Sequence, residues 1–280
     1  MIKLIKSVRA MKKLSSGLRK KGCSIGFVPT MGYLHDGHIS LVNEARKQND
    51  AVVVSIFVNP SQFGPKEDLK KYPRNMKRDL ALLSKAGVDI VFCPSTKEMY
   101  PEGYSTYIEV KGLSDKLCGA SRPGHFKGVA TVVAKLFNIV QPDTAYFGEK
   151  DYQQQVILRR MTADLNMDVK IVSMPTVREK SGLAMSSRNS YLSGDERSRA
   201  QVIGRSLKFA KTLINSGVKS SVKIKAAMSQ LMNTSKLKID YISICDPGTL
   251  DEKKVIKRKT LIAVAAYIGK TRLIDNIVIK

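Results

Sequence analysis

Two of the chain's three histidines, His35 and His38, stand three residues apart in the run Thr30-Met31-Gly32-Tyr33-Leu34-His35-Asp36-Gly37-His38. Gly32 and Gly37 let such a backbone bend tightly and approach a ligand closely. Paired imidazoles at a bend can donate hydrogen bonds to phosphate oxygens as charge develops in a transition state. Where the bend joins a strand to a helix, backbone N–H groups and the helix dipole favour an anion, and phosphate is the natural occupant. A zinc reading needs a third ligand. His125 is the remaining histidine, at no fixed spacing from the pair. A surface turn with incidental histidines is the plain alternative.

The elements around the turn fit the phosphate reading. Ser24–Pro29 is a short apolar strand before it, and Ile39–Asn49 a helix after it, with Ile39, Val42 and Ala45 on one side. Ala51–Val58, continuous and β-branched, reads as a strand buried on both faces. Pro73–Gly87 reads as a helix between an opening Pro and a closing Gly. Strands at Val88–Cys93, Thr144–Phe147 and Val169–Met174 follow, with helices at Gly128–Gln141 and Asp151–Asn166. This alternation implies an α/β fold, a Rossmann-like parallel sheet with helices on both faces, whose ligands bind beyond the carboxyl ends of the strands. The unusual polar residues fall there: the histidine turn, Asn59-Pro60-Ser61-Gln62, Gly148-Glu149-Lys150-Asp151 and Pro175-Thr176-Val177-Arg178.

Beyond about Thr176 the pattern changes. A polar loop, Glu179–Asn189, leads to helices near Asp195–Asn215 and Ser221–Thr234. Strands then follow at Ile239–Cys245, Leu261–Tyr267 and Thr271–Ile279. The expected organisation is a ligand-binding domain over 1–175 and a smaller α+β lid domain over 176–280.

Composition limits the alternatives. The 280 residues, 43% of them hydrophobic, can bury a substantial core without a disulfide or metal staple. Cys23, Cys93, Cys118 and Cys245 show no C-x-x-C spacing and read as reduced thiols of a cytoplasmic protein. No apolar run approaches the length of a membrane-spanning helix, and the N-terminus lacks the features of a signal peptide. The net charge of +24 is spread along the chain in short clusters such as Lys253-Lys254, with no basic tail and no aromatic-interleaved RNA signature. Solvated lysine-rich faces explain it best, with steering of an anionic substrate next. Neither a nucleic-acid nor a membrane partner is expected.

H-x-G-H after a first buried strand resembles the nucleotidylyltransferase superfamily, in which it holds ATP phosphates. Met185-Ser186-Ser187-Arg188 fits the accompanying late basic loop, since two hydroxyls and a guanidinium can bind phosphate oxygens. Six segments then narrow the resemblance: Pro29 to Gly32, His35 to His38, Phe57 to Phe63, Arg122 to Phe126, Phe147 to Gln154, and Ser186 to Asn189. In this order they resemble the pantothenate synthetases, or pantoate–β-alanine ligases. The resemblance implies condensation of (R)-pantoate with β-alanine through a pantoyl adenylate, with ATP as a substrate, Mg²⁺ and a homodimer expected, and no dedicated protein metal site.

By the same resemblance, His38, His35, Lys150 and Arg188 are the catalytic candidates. ATP would meet Met31, Gly32, Tyr33, Leu34, His35, Asp36, Gly37 and His38 on one side. On the other stand Gly148, Glu149, Lys150, Asp151, Val177, Met185, Ser186, Ser187 and Arg188. Gln62 and Gln154 are the pantoate candidates, and Gln62 serves β-alanine as well. Neutral amides suit the hydroxyls and carboxylate of a small hydroxy acid without trapping its carboxylate in a salt bridge. Asp151 could meet Mg²⁺ or the ribose, or simply cap the following helix. Arg122 and His125 are expected near the site without an assigned role.

Ser181 stands where the family commonly has an acid, and Met185 where it often has Leu. The first removes a charge near the phosphate loop; the second nearly conserves volume. Two other functions compete. A plain nucleotidylyltransferase would favour Arg and Lys over Gln62 and Gln154. An RNA-binding protein would show salt-sensitive RNA affinity and release no pyrophosphate.

Overall fold

The computed structural model describes residues 2–65, 67–257 and 259–279, so Met1 and Lys280, the ends of the two expected domains, lie outside it. Six strands form one sheet in the order β1-β4-β3-β2-β5-β6, with every pair parallel. They are β1 (Lys3–Ile5), β2 (Ile25–Thr30), β3 (Ala51–Ile56), β4 (Ile90–Phe92), β5 (Thr144–Gly148) and β6 (Lys170–Met174). The chain runs outward from β2 through β3 to β4, then returns to place β5 on the other side of β2. The connections leaving β2 and β5 therefore diverge, and a crevice opens at their carboxyl ends.

Side-chain alternation explains why β3 is apolar throughout. Val53 faces one core, with Met11, Phe27 and Phe137, while Val52, Val54 and Ile56 face the other, with Leu41, Val42 and Leu83. The first core lies under α1 (Val8–Lys20), α6 (His125–Val140) and α7 (Tyr152–Asp164). The second lies under α2 (Asp36–Gln48) and α3 (Met76–Lys85). Two short helices, α4 (Thr96–Met99) and α5 (Cys118–Ser121), interrupt the connections.

The C-terminal part has α8 (Gly194–Asn215) and α9 (Ser221–Asn233) followed by an antiparallel sheet. Its order is β7 (Lys238–Cys245), β8 (Thr260–Ile268), β9 (Thr271–Ile279). β8 is buried along nearly its whole length because both of its faces are covered. Ile262, Val264 and Ala266 pack in the C-terminal core, while Leu261 and Ala263 join the core under α6 and α7.

Several boundaries differ from the sequence expectation. β1 and α1 were not anticipated; β1 is only three residues long, too short to show alternation. α2 begins at Asp36 rather than Ile39, which places His38 inside its first turn. α3 begins after Asn75, whose side chain accepts the Arg78 N–H, so Pro73 precedes the helix. α6 begins at His125, after Gly124 in the left-handed region at φ +79°. The four cysteines are free, and among the described residues no helix is long and apolar enough to cross a membrane.

Candidate active site

The histidine turn is built on a buried carboxylate that the sequence did not flag. Thr30 closes β2, donating its hydroxyl to the Ser55 carbonyl at 2.7 Å and accepting the Gly32 N–H at 3.1 Å. Gly32 lies at φ +82°, and a Cβ there would sit 2.9 Å from the Ile56 side chain. Asp79 of α3 then accepts the Tyr33 N–H at 2.7 Å and the Leu34 N–H at 2.8 Å. Its side chain is 2% exposed.

The histidines cap α2 with their own rings. His35 Nδ1 accepts the Gly37 N–H at 3.2 Å, and His38 Nδ1 accepts the His35 N–H at 3.3 Å. A ring that accepts at Nδ1 is neutral and carries its proton on Nε2. Burial, then Lys150, lowers the His35 pKa from 6.5 to about 4. Burial, then His35 and Lys150, holds His38 well below 6.5. The ring centroids are 4.1 Å apart, and both residues border a cavity at the crevice. Two uncharged Nε2–H donors are therefore available to a ligand there.

Several backbone N–H groups of the turn are engaged within the protein. Those of Tyr33, Leu34, His35 and Gly37 are already taken by Asp79 and the two imidazoles. Gly32, Tyr33, Leu34 and Asp36 do not border the cavity, whereas Met31, His35, Gly37 and His38 do. Gly37 provides space more than a bend. A Cβ there would lie 2.9 Å from the His35 ring.

Across the cavity, β5 ends at Gly148 and a 3-10 turn, Glu149–Asp151, leads into α7. Gly148, Lys150, Asp151 and Gln154 border the cavity; Glu149 does not. The Glu149 and Lys150 carbonyls instead accept from Asn276 Nδ2 of β9, at 3.0 and 2.9 Å. Lys150 Nζ lies 4.0 Å from Asp151 Oδ2. The Asp151 side chain makes no capping hydrogen bond to α7, so the capping reading fails.

The turn after β3 positions Gln62. Buried Asn59 donates to Gln62 Oε1 at 3.1 Å and to the Gly128 carbonyl at 3.2 Å, and accepts the Tyr100 hydroxyl at 2.8 Å. Gly128 lets α6 approach this turn; a Cβ there would lie 2.3 Å from the Ser61 carbonyl. Arg122 and His125, without a role from sequence alone, hold the same turn. His125 Nδ1 donates to the Gln62 carbonyl at 2.8 Å, and its Nε2 accepts Arg122 Nη1 at 3.0 Å. Both nitrogens being engaged, His125 is not placed to complete a zinc site. Among the described residues no group of three His, Cys, Asp or Glu gathers as one.

The late basic loop closes the cavity. Arg178 and Ala184 form a β-bridge, and Ser181 lies in the turn between them, away from the cavity. Val177, Met185, Ser186, Ser187 and Arg188 border it. Ser187 Oγ donates to the Tyr33 carbonyl at 3.1 Å, tying this loop to the histidine turn. Arg188 pairs with Asp68 through two hydrogen bonds of 2.8 Å.

Comparison with known proteins agrees with this geometry over the full chain. The sequence profile of the pantoate-beta-alanine ligase family matches residues 3–278. The chain belongs to that family. The pantothenate synthetase of Fervidobacterium nodosum is 56% identical over 278 residues, covering 99% of both chains. That of Thermotoga neapolitana is 56% identical over 279 residues, covering 99% of this chain and 100% of the relative. A crystal structure of the Thermus thermophilus enzyme superposes with a TM-score of 0.94 at 46% identity, covering 99% of each chain. The Francisella tularensis ligase, complexed with β,γ-ATP and β-alanine, superposes with a TM-score of 0.83 at 38% identity, covering 99% of this chain and 97% of that one.

A pantoate–β-alanine ligase must accommodate a branched aliphatic acid, and the cavity floor suits one. Val129, Val132, Val133 and Leu136 of α6, with Phe57, form an apolar surface in the same cavity as Gln62 and Gln154. Sequence periodicity marked α6 as a helix but gave no sign that part of its apolar face lines a site. Asp79 and Asp68 were also missed, because each acts through a partner distant in sequence.

The histidines carry a pH signature. Burial, then Arg122, lowers His125 to about 4, like His35, so all three imidazoles resist protonation in the folded chain. The unfolded chain binds those protons as pH falls through about 6.5. Their contribution to stability is thus complete above that value and is lost as pH falls toward 4, by at most about 1.4 kcal/mol per pH unit for each ring. The melting temperature should fall between about pH 7 and pH 5, before most carboxylates titrate. A melting temperature constant over that window would show that the rings protonate within the folded protein.

Proposed function

We propose that this cavity activates pantoate as an acyl adenylate before β-alanine attacks. Two neutral Nε2–H donors at His35 and His38 face Lys150 and the Ser186–Arg188 loop across the cavity, and this arrangement carries the reading. Phosphates between these walls would meet directional donors on one side and cations on the other. A carboxylate oxygen of pantoate attacks the α-phosphorus of ATP, and the bond to the β,γ-pyrophosphate breaks. The β-alanine amine then attacks the acyl carbon, the C–O bond to AMP breaks, and the amine loses a proton.

His38 and His35 serve the α-phosphate, where charge develops, with Lys150 and Arg188 on the departing phosphates. Gln62 and Gln154 hold pantoate above the apolar floor, and Gln62 also meets β-alanine. Val177 offers backbone and apolar contact to adenine. Mg²⁺ would arrive with ATP, because it is held by substrate phosphates and one or two carboxylates. Asp151, with half its side chain exposed in the cavity wall, fits that need. Bound there, the ion would neutralise phosphate charge. The further reading is a cytoplasmic homodimer in which residues 176–280 act as a lid on 1–175.

Isotope exchange between pyrophosphate and ATP tests the adenylate. Exchange should require pantoate and proceed without β-alanine. Absence of pantoate-dependent exchange, in enzyme that still makes pantothenate, would exclude a released-pyrophosphate intermediate.

A further inference from the structure

Arg188 is the only cation on the Ser186–Arg188 loop, and it is held from two directions by the segment between β3 and α3. Asp68 Oδ2 accepts from Nε and Oδ1 from Nη2, each at 2.8 Å. The guanidinium carbon lies 5.6 Å from the centroid of the Tyr72 ring. The Tyr191 hydroxyl, 3.2 Å from Asp68 Oδ2 and 3.1 Å from the Lys71 carbonyl, holds the carboxylate in turn. Burial alone would raise the Asp68 pKa; the hydrogen bonds and charge of Arg188 outweigh it and leave it lowered.

The side-on geometry matters. Asp68 occupies the Nε–Nη2 edge of the guanidinium, and among the described residues Nη1 makes no hydrogen bond. Arg188 borders the cavity. An arginine free to rotate must lose about 2 kcal/mol of rotamer entropy when it engages a ligand. One already fixed by a carboxylate and an aromatic face avoids most of that loss.

We propose that Asp68, with Tyr72 beneath the guanidinium, is the positioning residue for Arg188, holding its Nη1 toward the phosphates of ATP. The inference rests on the reading of Arg188 as a phosphate ligand. It gives a definite sign. If Asp68 instead competed with ATP for the arginine, its removal would tighten ATP binding; as a positioning residue, its removal weakens it.

A double-mutant cycle on equilibrium ATP binding, measured by calorimetry on the full chain, decides the matter. Asp68→Ala should raise the Kd for ATP about tenfold, and Arg188→Ala at least as much. The double variant should bind no more weakly than Arg188→Ala alone, because Asp68 acts only through that side chain. The Kd for pantoate should change by less than about twofold in Asp68→Ala, which a general collapse of the segment beside Gln62 would not permit. Should Asp68→Ala fail to fold, Asp68→Asn carries the same cycle. Unchanged or tighter ATP binding on loss of Asp68, or losses that multiply in the double variant, would overturn the positioning role. Unchanged ATP binding in Arg188→Ala would overturn the phosphate role of Arg188 as well, so the two failures are distinguishable.

Discussion

His38→Ala should abolish pantoate-dependent pyrophosphate exchange, by about 10²–10³-fold, in a protein that still folds. The loss follows from removing a fixed Nε2–H donor where charge develops. The fold survives because the substitution also removes only one acceptor, His38 Nδ1, from the His35 N–H. A lost helix cap costs about 1 kcal/mol. Exchange rates and a thermal melt on the same preparation separate the two effects. Near-normal exchange would remove His38 from the chemistry; a cooperative melt lost altogether would show that the ring is chiefly structural.

The second large effect is expected at a residue that does not border the cavity. Asp79→Ala strands two backbone donors, the Tyr33 and Leu34 N–H groups, both now satisfied at under 3 Å by one buried carboxylate. Leaving two such donors unpaired costs about 2–5 kcal/mol. Asp79→Asn should be little better, since its amide NH₂ would replace an oxygen and oppose one of the N–H groups. Turnover should fall with stability, because Tyr33 and Leu34 lead directly into His35; a displacement of about 1 Å at a reacting centre can cost 10²-fold. Chemical denaturation and steady-state rates check both. An Asp79→Asn variant with wild-type stability would show that the turn holds without the carboxylate.

The contrast between His38 and Asp79 shows what was legible in the sequence. The histidines and Gly148 to Asp151 stand just after strands, and strand ends are readable from apolar runs and the polar residues that follow. Ser186 to Arg188, well past β6, was readable only through its resemblance to the family's late basic loop. Asp79 sits within α3, where an acid on a helix normally faces solvent, and nothing local distinguishes it. Asp68 likewise depends on a partner, Arg188, that only the fold brings near. The sheet was read well where strands formed apolar runs, as in β3 and β4, and missed at β1, which is short, largely exposed and opens on a lysine. Gly37 was recognised as needed, but its role came out differently: it makes room for an imidazole.

That imidazole pair gives the helix start an evolutionary cost. Ser, Asp and Asn are the residues that begin helices best, and histidine is not among them. Here the nitrogens that close the first turn of α2 belong to the rings that offer Nε2–H to the cavity. Selection for stability would drift these positions toward a short oxygen-bearing side chain, and selection for turnover resists it. The turn is therefore a local stability–activity trade-off, in which two side chains keep a suboptimal cap because their far edges are needed elsewhere.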